Sequence, residues 1–151
     1  MTSHSEASAD VRGIVLAYVE AMNAGDLDRL RSLFADDCEI QGVVGRGAFD
    51  AVADIWRQLH SGLNMYLEVQ SIVCEGKVAA ARYVERGRWT GPFLGFTKPT
   101  GNSYELVAIE WFEVEDGRIR RRWGARDSAS QARQVGFPEA AKPLVEQEEA
   151  A

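Results

Sequence analysis

The feature that most constrains this chain is a change in the period of its hydrophobic residues near Met65. Before that point Val11, Ile14, Val15, Tyr18, Val19 and Met22 recur at helical spacing. Leu27, Leu30, Leu33 and Phe34 do the same, and then Phe49, Val52, Trp56 and Leu59. Each set makes one apolar stripe on a helix. The spacing predicts a first helix from Val11, stopped at Asn23-Ala24-Gly25. A second follows, capped by Asp26 and ending at Asp36-Asp37, and a third runs from Ala48 to His60, closed by Gly62. A short strand from Glu39 to Val43 is expected between the last two.

After Met65 the pattern alternates. Met65, Leu67, Val69, Ser71 and Val73 fall on one face, and Tyr66, Glu68, Gln70 and Ile72 on the other. Glu75-Gly76-Lys77 and Asp116-Gly117 read as hairpin turns, so strands over 78–90, 103–114 and 118–127 should form an antiparallel meander. A loop rich in glycine and proline, Gly91 to Asn102, interrupts it, and Ser128 to Val135 reads as a helical turn before Gly136. Helices first and strands after make an α+β fold, and strands this long curl. The expected architecture is a curved antiparallel β-sheet with three N-terminal helices on its concave face, enclosing a pocket. One domain should span 11–137, with flexible tails over 1–10 and 138–151.

Composition narrows the function. The chain has 151 residues, 46% hydrophobic and 26% charged, enough for one core without metals or disulfides. A net charge of -6 argues against a nucleic-acid or anionic-membrane partner. The longest apolar run, Ile14 to Val19, is far short of the ~20 residues that span a bilayer. The polar start MTSHSEASAD has no signal-peptide pattern, so a cytoplasmic location is expected. Cys38 and Cys74 lack CxxC partners and read as buried free thiols. No metal-ligand spacing or nucleotide fingerprint is present, and neither a metal nor a cofactor is expected.

Three titratable residues are candidate catalysts. By alternation Asp127 shares a strand face with Ile119, Arg121, Trp123 and Ala125, where burial would raise its pKa and suit it to proton transfer. The rival roles are an N-cap for Ser128–Val135 or an ion pair. Glu110 interrupts the apolar row Tyr104, Leu106, Ala108 and Phe112, which signals either a function or an arginine partner, Arg82 or one on the last strand. Alternation does not say which face of that strand is inside. His60, at a helix end, is either a base at the pocket mouth or a favourable charge on the helix dipole. Tyr18 and Trp56 lie on helical core faces, while Trp89 and Phe93 flank Gly91-Pro92 in a possible lid. Tyr18, Trp56, Trp89, Phe93, Tyr104, Arg121 and Trp123 are the candidate substrate-binding residues. Val107, Ile109 and Trp111 form a second apolar row, whose cover would be a second copy of the chain.

The segments AYVEAMNAGDLDRLRSLFADD, GRWTGPFLGFTKPTGNSYELVAIEWFEVEDGRI and RRRWGARDSASQARQVG resemble the SnoaL-like polyketide cyclase family, over about 11–137. That family belongs to the superfamily with the cone-shaped nuclear-transport-factor-like fold. The resemblance implies cofactor-independent acid–base chemistry in natural-product biosynthesis, typically an intramolecular aldol ring closure on a small, hydrophobic polycyclic aromatic polyketide. Asp127 matches the acidic residue of the family's Trp-x3-Asp motif, which acts as acid–base group, and Trp123 matches its aromatic. The resemblance also implies a pocket histidine on the preceding strand, and Ser103 to Val114 contains none. Two alternatives stand beside the cyclase. One is a hydroxylase-type or epoxide hydrolase relative, the latter resembling an acid–arginine–acid set that Glu110, Arg82 and Asp127 could supply. The other is a noncatalytic ligand-binding domain.

Overall fold

The computed structural model describes residues 4–42 and 46–138. The elements are α1 (His4–Ala24), α2 (Leu27–Leu33), β1 (Phe34–Gln41), β2 (Arg46–Gly47), α3 (Phe49–Leu63), β3 (Tyr66–Glu75), β4 (Val78–Arg88), β5 (Ser103–Glu115), β6 (Arg118–Arg126) and α4 (Ser128–Val135). Six strands form one curved sheet in the order β2-β1-β6-β5-β4-β3. The predicted meander is present, joined by tight turns in which Asp116 and Gly117 both take positive φ, as a two-residue hairpin with right-handed twist requires.

Several local expectations are corrected. Strand β1 pairs in parallel with β6, so the sheet is mixed. The connection from β1 to β6 spans most of the chain, and no hairpin constrains its direction. Helix α1 begins at His4, inside the stretch expected to be a tail. A helix nucleated by the stripe from Val11 extends cheaply through alanine-containing sequence. Phe34 opens β1 instead of closing α2, and Gly62 does not close α3. A Cβ at Gly62 would lie 2.4 Å from the carbonyl oxygen of Pro92, so this glycine permits close approach of the 91–102 loop. The helix stops two residues later, at Asn64 in the left-handed conformation. Val43 and the C-terminal tail beyond Pro138 lie outside the described residues.

Two β-bulges decide which side chains face the helices. In β3 the register slips between Val69 and Ser71, so Met65 and Leu67 point inward, but beyond the slip Ile72 is buried and Val73 exposed. In β6 it slips between Ile119 and Arg121. Ile119 is buried; past the slip Arg122 and Arg126 turn inward, and Arg121, Trp123 and Ala125 face out. On β5 the buried row is Tyr104, Leu106, Ala108, Glu110, Phe112 and Val114. Helices α1 and α3 close over this face through an edge-to-face aromatic cluster, in which the Tyr18 ring lies 5.0 Å from Phe112 and 6.1 Å from both Phe34 and Trp56. Cys38 is buried and Cys74 half-buried, and both are free thiols.

Candidate active site

Between helices and sheet lies an apolar cavity of about 200 Å³. Ile40, Val52, Ile55, Trp56, Leu59 and Phe93 are among its walls, and Arg122, Arg126, Ser128 and Gln131 supply its polar lining. The loop after β4 forms one side. Phe93 and Phe96 pair backbone to backbone around a tip of Leu94 and Gly95, and both rings stack on Phe137 at 5.6 and 4.9 Å. The loop is held by packing as well as by its turns: Trp89 is buried against Phe137 at 4.8 Å with its indole N–H on the Gly91 carbonyl, and Gly62 O accepts from Thr90 N and Gly91 N.

Beneath the two arginines is a buried charged network. Glu110 accepts the Tyr18 hydroxyl at 3.2 Å on Oε2, which is also paired with Arg122 and lies 4.0 Å from Nη2 of Arg126. Its Oε1 has no hydrogen-bond partner among the described residues. Glu85 is engaged on both oxygens: Oε1 takes Nε of Arg126 at 2.8 Å, and Oε2 takes the Tyr104 hydroxyl at 2.8 Å and Nε2 of Gln131 at 3.5 Å. Both carboxylates are essentially inaccessible, at 0% for Glu85 and 1% for Glu110. Burial opposes the Arg126 charge, but Coulomb attraction to Glu85 and the hydrogen bond Arg126 donates to it prevail, and its pKa lies above the ordinary arginine value. Burial pushes the Tyr83 and Tyr104 phenols far up, aided at Tyr83 by Tyr18 and at Tyr104 by Glu85, so both stay protonated donors.

Small residues make room for this cluster. Glu110 pairs across the sheet with Ala81 and Gly124. A Cβ at Gly124 would meet the Arg122 guanidinium at 2.8–3.0 Å. Its φ is not in the left-handed region, so the glycine serves space: it lets Arg122 lie along the sheet toward Glu110. The guanidinium carbon of Arg122 sits 5.5 Å from the Trp56 ring centroid, a cation–π contact at the cavity wall.

Of the predicted residues, Glu110 and Tyr18 meet in the network, and Trp56 and Phe93 line the cavity. Tyr104 binds Glu85 from behind, and Trp89 is packed under the loop. The placement of Asp127 on the buried face is corrected: it is exposed and caps α4, accepting from Ser130 N at 2.9 Å. The slip in β6 has the same consequence for Arg121, which pairs outside with Glu113 at 3.3 Å, and for Trp123, which lies beside Trp111 on the outer face. His60 is exposed and packs on Gly25. Arg82 is exposed, so Glu110, Arg82 and Asp127 do not converge. Sequence reasoning missed Glu85, Arg122, Arg126 and Gln131. Glu85 was findable, because it interrupts the row Ala79, Ala81 and Tyr83 as Glu110 interrupts its own; the arginines were hidden by the bulge.

Comparison with known proteins matches this architecture. IdmH of Streptomyces antibioticus, a proposed polyketide cyclase, is 28% identical with a TM-score of 0.72, over 84% of this chain and 99% of that one. AclR of Streptomyces galilaeus, a proposed hydroxylase, shares 21% identity over 85% of this chain and 97% of that one, at TM-score 0.76. An LEH-like epoxide hydrolase of M. tuberculosis shares 17% identity over 89% and 95%, at TM-score 0.67. The last two likenesses speak to fold alone. No curated protein matches the chain. The family model described as SnoaL-like polyketide cyclase matches residues 12–135, which takes in the helices, the meander and the arginine-bearing last strand, and the chain therefore belongs to the SnoaL-like polyketide cyclase family.

Proposed function

We propose that the protein is an acid–base enzyme that closes a ring in a hydrophobic aromatic polyketide by an intramolecular aldol-type reaction, with no cofactor. The observation that carries this reading is a buried carboxylate oxygen, Oε1 of Glu110, without a hydrogen-bond partner among the described residues, in a network whose arginines line an apolar cavity. The Glu110 carboxylate removes a proton from carbon next to a carbonyl. Arg122, whose Nε is a buried donor with no partner among the described residues, holds the enolate oxygen as charge develops on it. The enolate carbon bonds to a second carbonyl carbon, and the new alkoxide takes the proton back from Glu110, so nothing is consumed. Tyr18 keeps the carboxylate aimed, and Trp56 and Phe93 hold the flat substrate. Asp127 contributes the cap that seats α4.

The test is turnover of a linear aromatic polyketide analogue by wild type and Glu110→Gln. Cyclisation by wild type and a loss of about 10²–10⁴-fold in the variant is expected. Equal turnover removes Glu110 from the chemistry.

A second reading is favoured by one observation. Glu85, Arg126 and Glu110 form an acid–arginine–acid set, with Arg126 2.8 Å from one carboxylate and 4.0 Å from the other. One acid taking a proton from water while the other protonates an epoxide oxygen would open an epoxide to a diol. Diol formation from an aromatic epoxide, without cyclisation of the ketone, would select this reading.

The outer sheet face supports a homodimer. Val107, Ile109, Trp111 and Trp123 are 39–52% exposed there, a contiguous apolar surface that a second copy would cover. Light scattering at high concentration should give twice the chain mass; a monomer rejects the assignment.

A further inference from the structure

We infer that this site takes a neutral oxygen, a ketone or a phenol, and turns away carboxylates. The inference rests on the reading of the cavity as an aromatic substrate site and adds the charge class of the ligand.

Two arginines beside an apolar cavity would ordinarily suggest an acid-binding pocket, because a guanidinium edge matches a carboxylate bidentately. Here that capacity is already used. Arg122 gives Nη2 to Glu110 and Nη1 to the Gln41 carbonyl, and Arg126 gives Nε to Glu85 while its Nη2 faces Glu110 at 4.0 Å. Both Nη groups of Arg122 are thus held by protein acceptors, and on Arg126 Nε is hydrogen-bonded while Nη2 is ion-paired with Glu110 at 4.0 Å. Two carboxylates balance two guanidiniums, and the phenols of Tyr18, Tyr83 and Tyr104 add only neutral hydroxyls. An incoming carboxylate beside Arg122 and Arg126 would make the buried cluster net negative. A carbonyl or phenol oxygen adds no charge and asks for one donor at a time. The polar atom left over at the wall suits it, since Arg122 lines the cavity and its Nε is a buried donor with no partner among the described residues.

The experiment compares 2-acetylnaphthalene with 2-naphthoate, nearly isosteric and differing in charge, by titration at neutral pH. Wild type is expected to bind the ketone at least ~10-fold more tightly than the acid. Glu110→Gln, which leaves one guanidinium uncompensated, should invert that order, and Arg122→Met should widen it. Naphthoate binding to wild type as tightly as the ketone overturns the inference and leaves the aromatic site standing. A folded Glu110→Gln with an unchanged preference also overturns it, because shape and not charge would then discriminate. If neither probe binds wild type, the aromatic-site reading falls with it. The wild-type pair and Arg122→Met decide the matter if Glu110→Gln does not fold.

Discussion

Glu85 and Glu110 sit on adjacent strands of one buried network, each bonded to a tyrosine and an arginine, yet they are differently used. Glu85 spends both oxygens on protein donors, whereas Glu110 collects its donors on Oε2 and leaves Oε1 open. The difference separates an acid that holds the floor together from one able to do chemistry. A carboxylate whose acceptor sites are all engaged can accept a proton only by breaking structure, while one with an unengaged oxygen can do so in place.

The sharpest way to break the comparison is to replace each acid by its amide. Glutamine at 110 can put its carbonyl oxygen where Oε2 accepts and its NH2 where no donor stands, so the fold should survive. Turnover should fall about 10²–10⁴-fold. Glutamine at 85 disturbs existing bonds in either orientation: its NH2 meets Nε of Arg126, or it obliges Tyr104 and Gln131 to turn and accept where they now donate. Both substitutions leave a guanidinium uncompensated, but only at 85 are further hydrogen bonds disrupted. Glu85→Gln should therefore be the more destabilising of the two, at about 3–5 kcal/mol with Tm lowered by roughly 10 °C. Calorimetry and turnover on both variants check this; equal melting losses would erase the distinction between the two acids.

Gly124→Ala sharpens it next. The added methyl must displace the Arg122 guanidinium and so strains its buried pair with Glu110. Stability should fall by about 1–3 kcal/mol, less than in Glu85→Gln, while turnover drops roughly tenfold or more. A variant that melts early with Arg122 still in place would make Gly124 a packing residue only.

Alkaline pH probes the Glu85 side. The raised phenols of Tyr83 and Tyr104 mean that the folded chain keeps protons that the unfolded chain loses above about pH 10. Their stabilisation is therefore full below that pH and is lost as pH rises beyond it. Tm measured against pH should be insensitive to these two groups below ~9 and fall above ~10, with their phenolate absorbance appearing only on unfolding. Reversible ionisation of both in the folded state would contradict the burial argument.

The smallest effect is expected at Asp127→Asn. Asparagine caps a helix about as well as aspartate, so Tm and turnover should both stay near wild type. A hundredfold loss of turnover at unchanged Tm would return the acid–base role to Asp127 and take it from Glu110.

The sequence by itself determined the elements, because their signals are local. A stripe at helical spacing, an alternating run and an Asp-Gly turn each act within a few residues, and α2, α3, α4 and the meander fall within a few residues of where those patterns put them. An acid interrupting an apolar strand row likewise marked Glu110, and applied to β4 would have marked Glu85. The tertiary structure alone decided which face of each strand is inside. A single-residue slip in β6 exchanges Arg121, Trp123 and Asp127 for Arg122 and Arg126, and nothing near Arg120 announces it, because register is set by partners distant in sequence. The parallel pairing of β1 with β6 and the seat of Phe137 on the loop aromatics have the same origin. Periodicity specifies which residues travel together; only long-range pairing and the exclusion of water from one face choose the set that meets at the cavity floor.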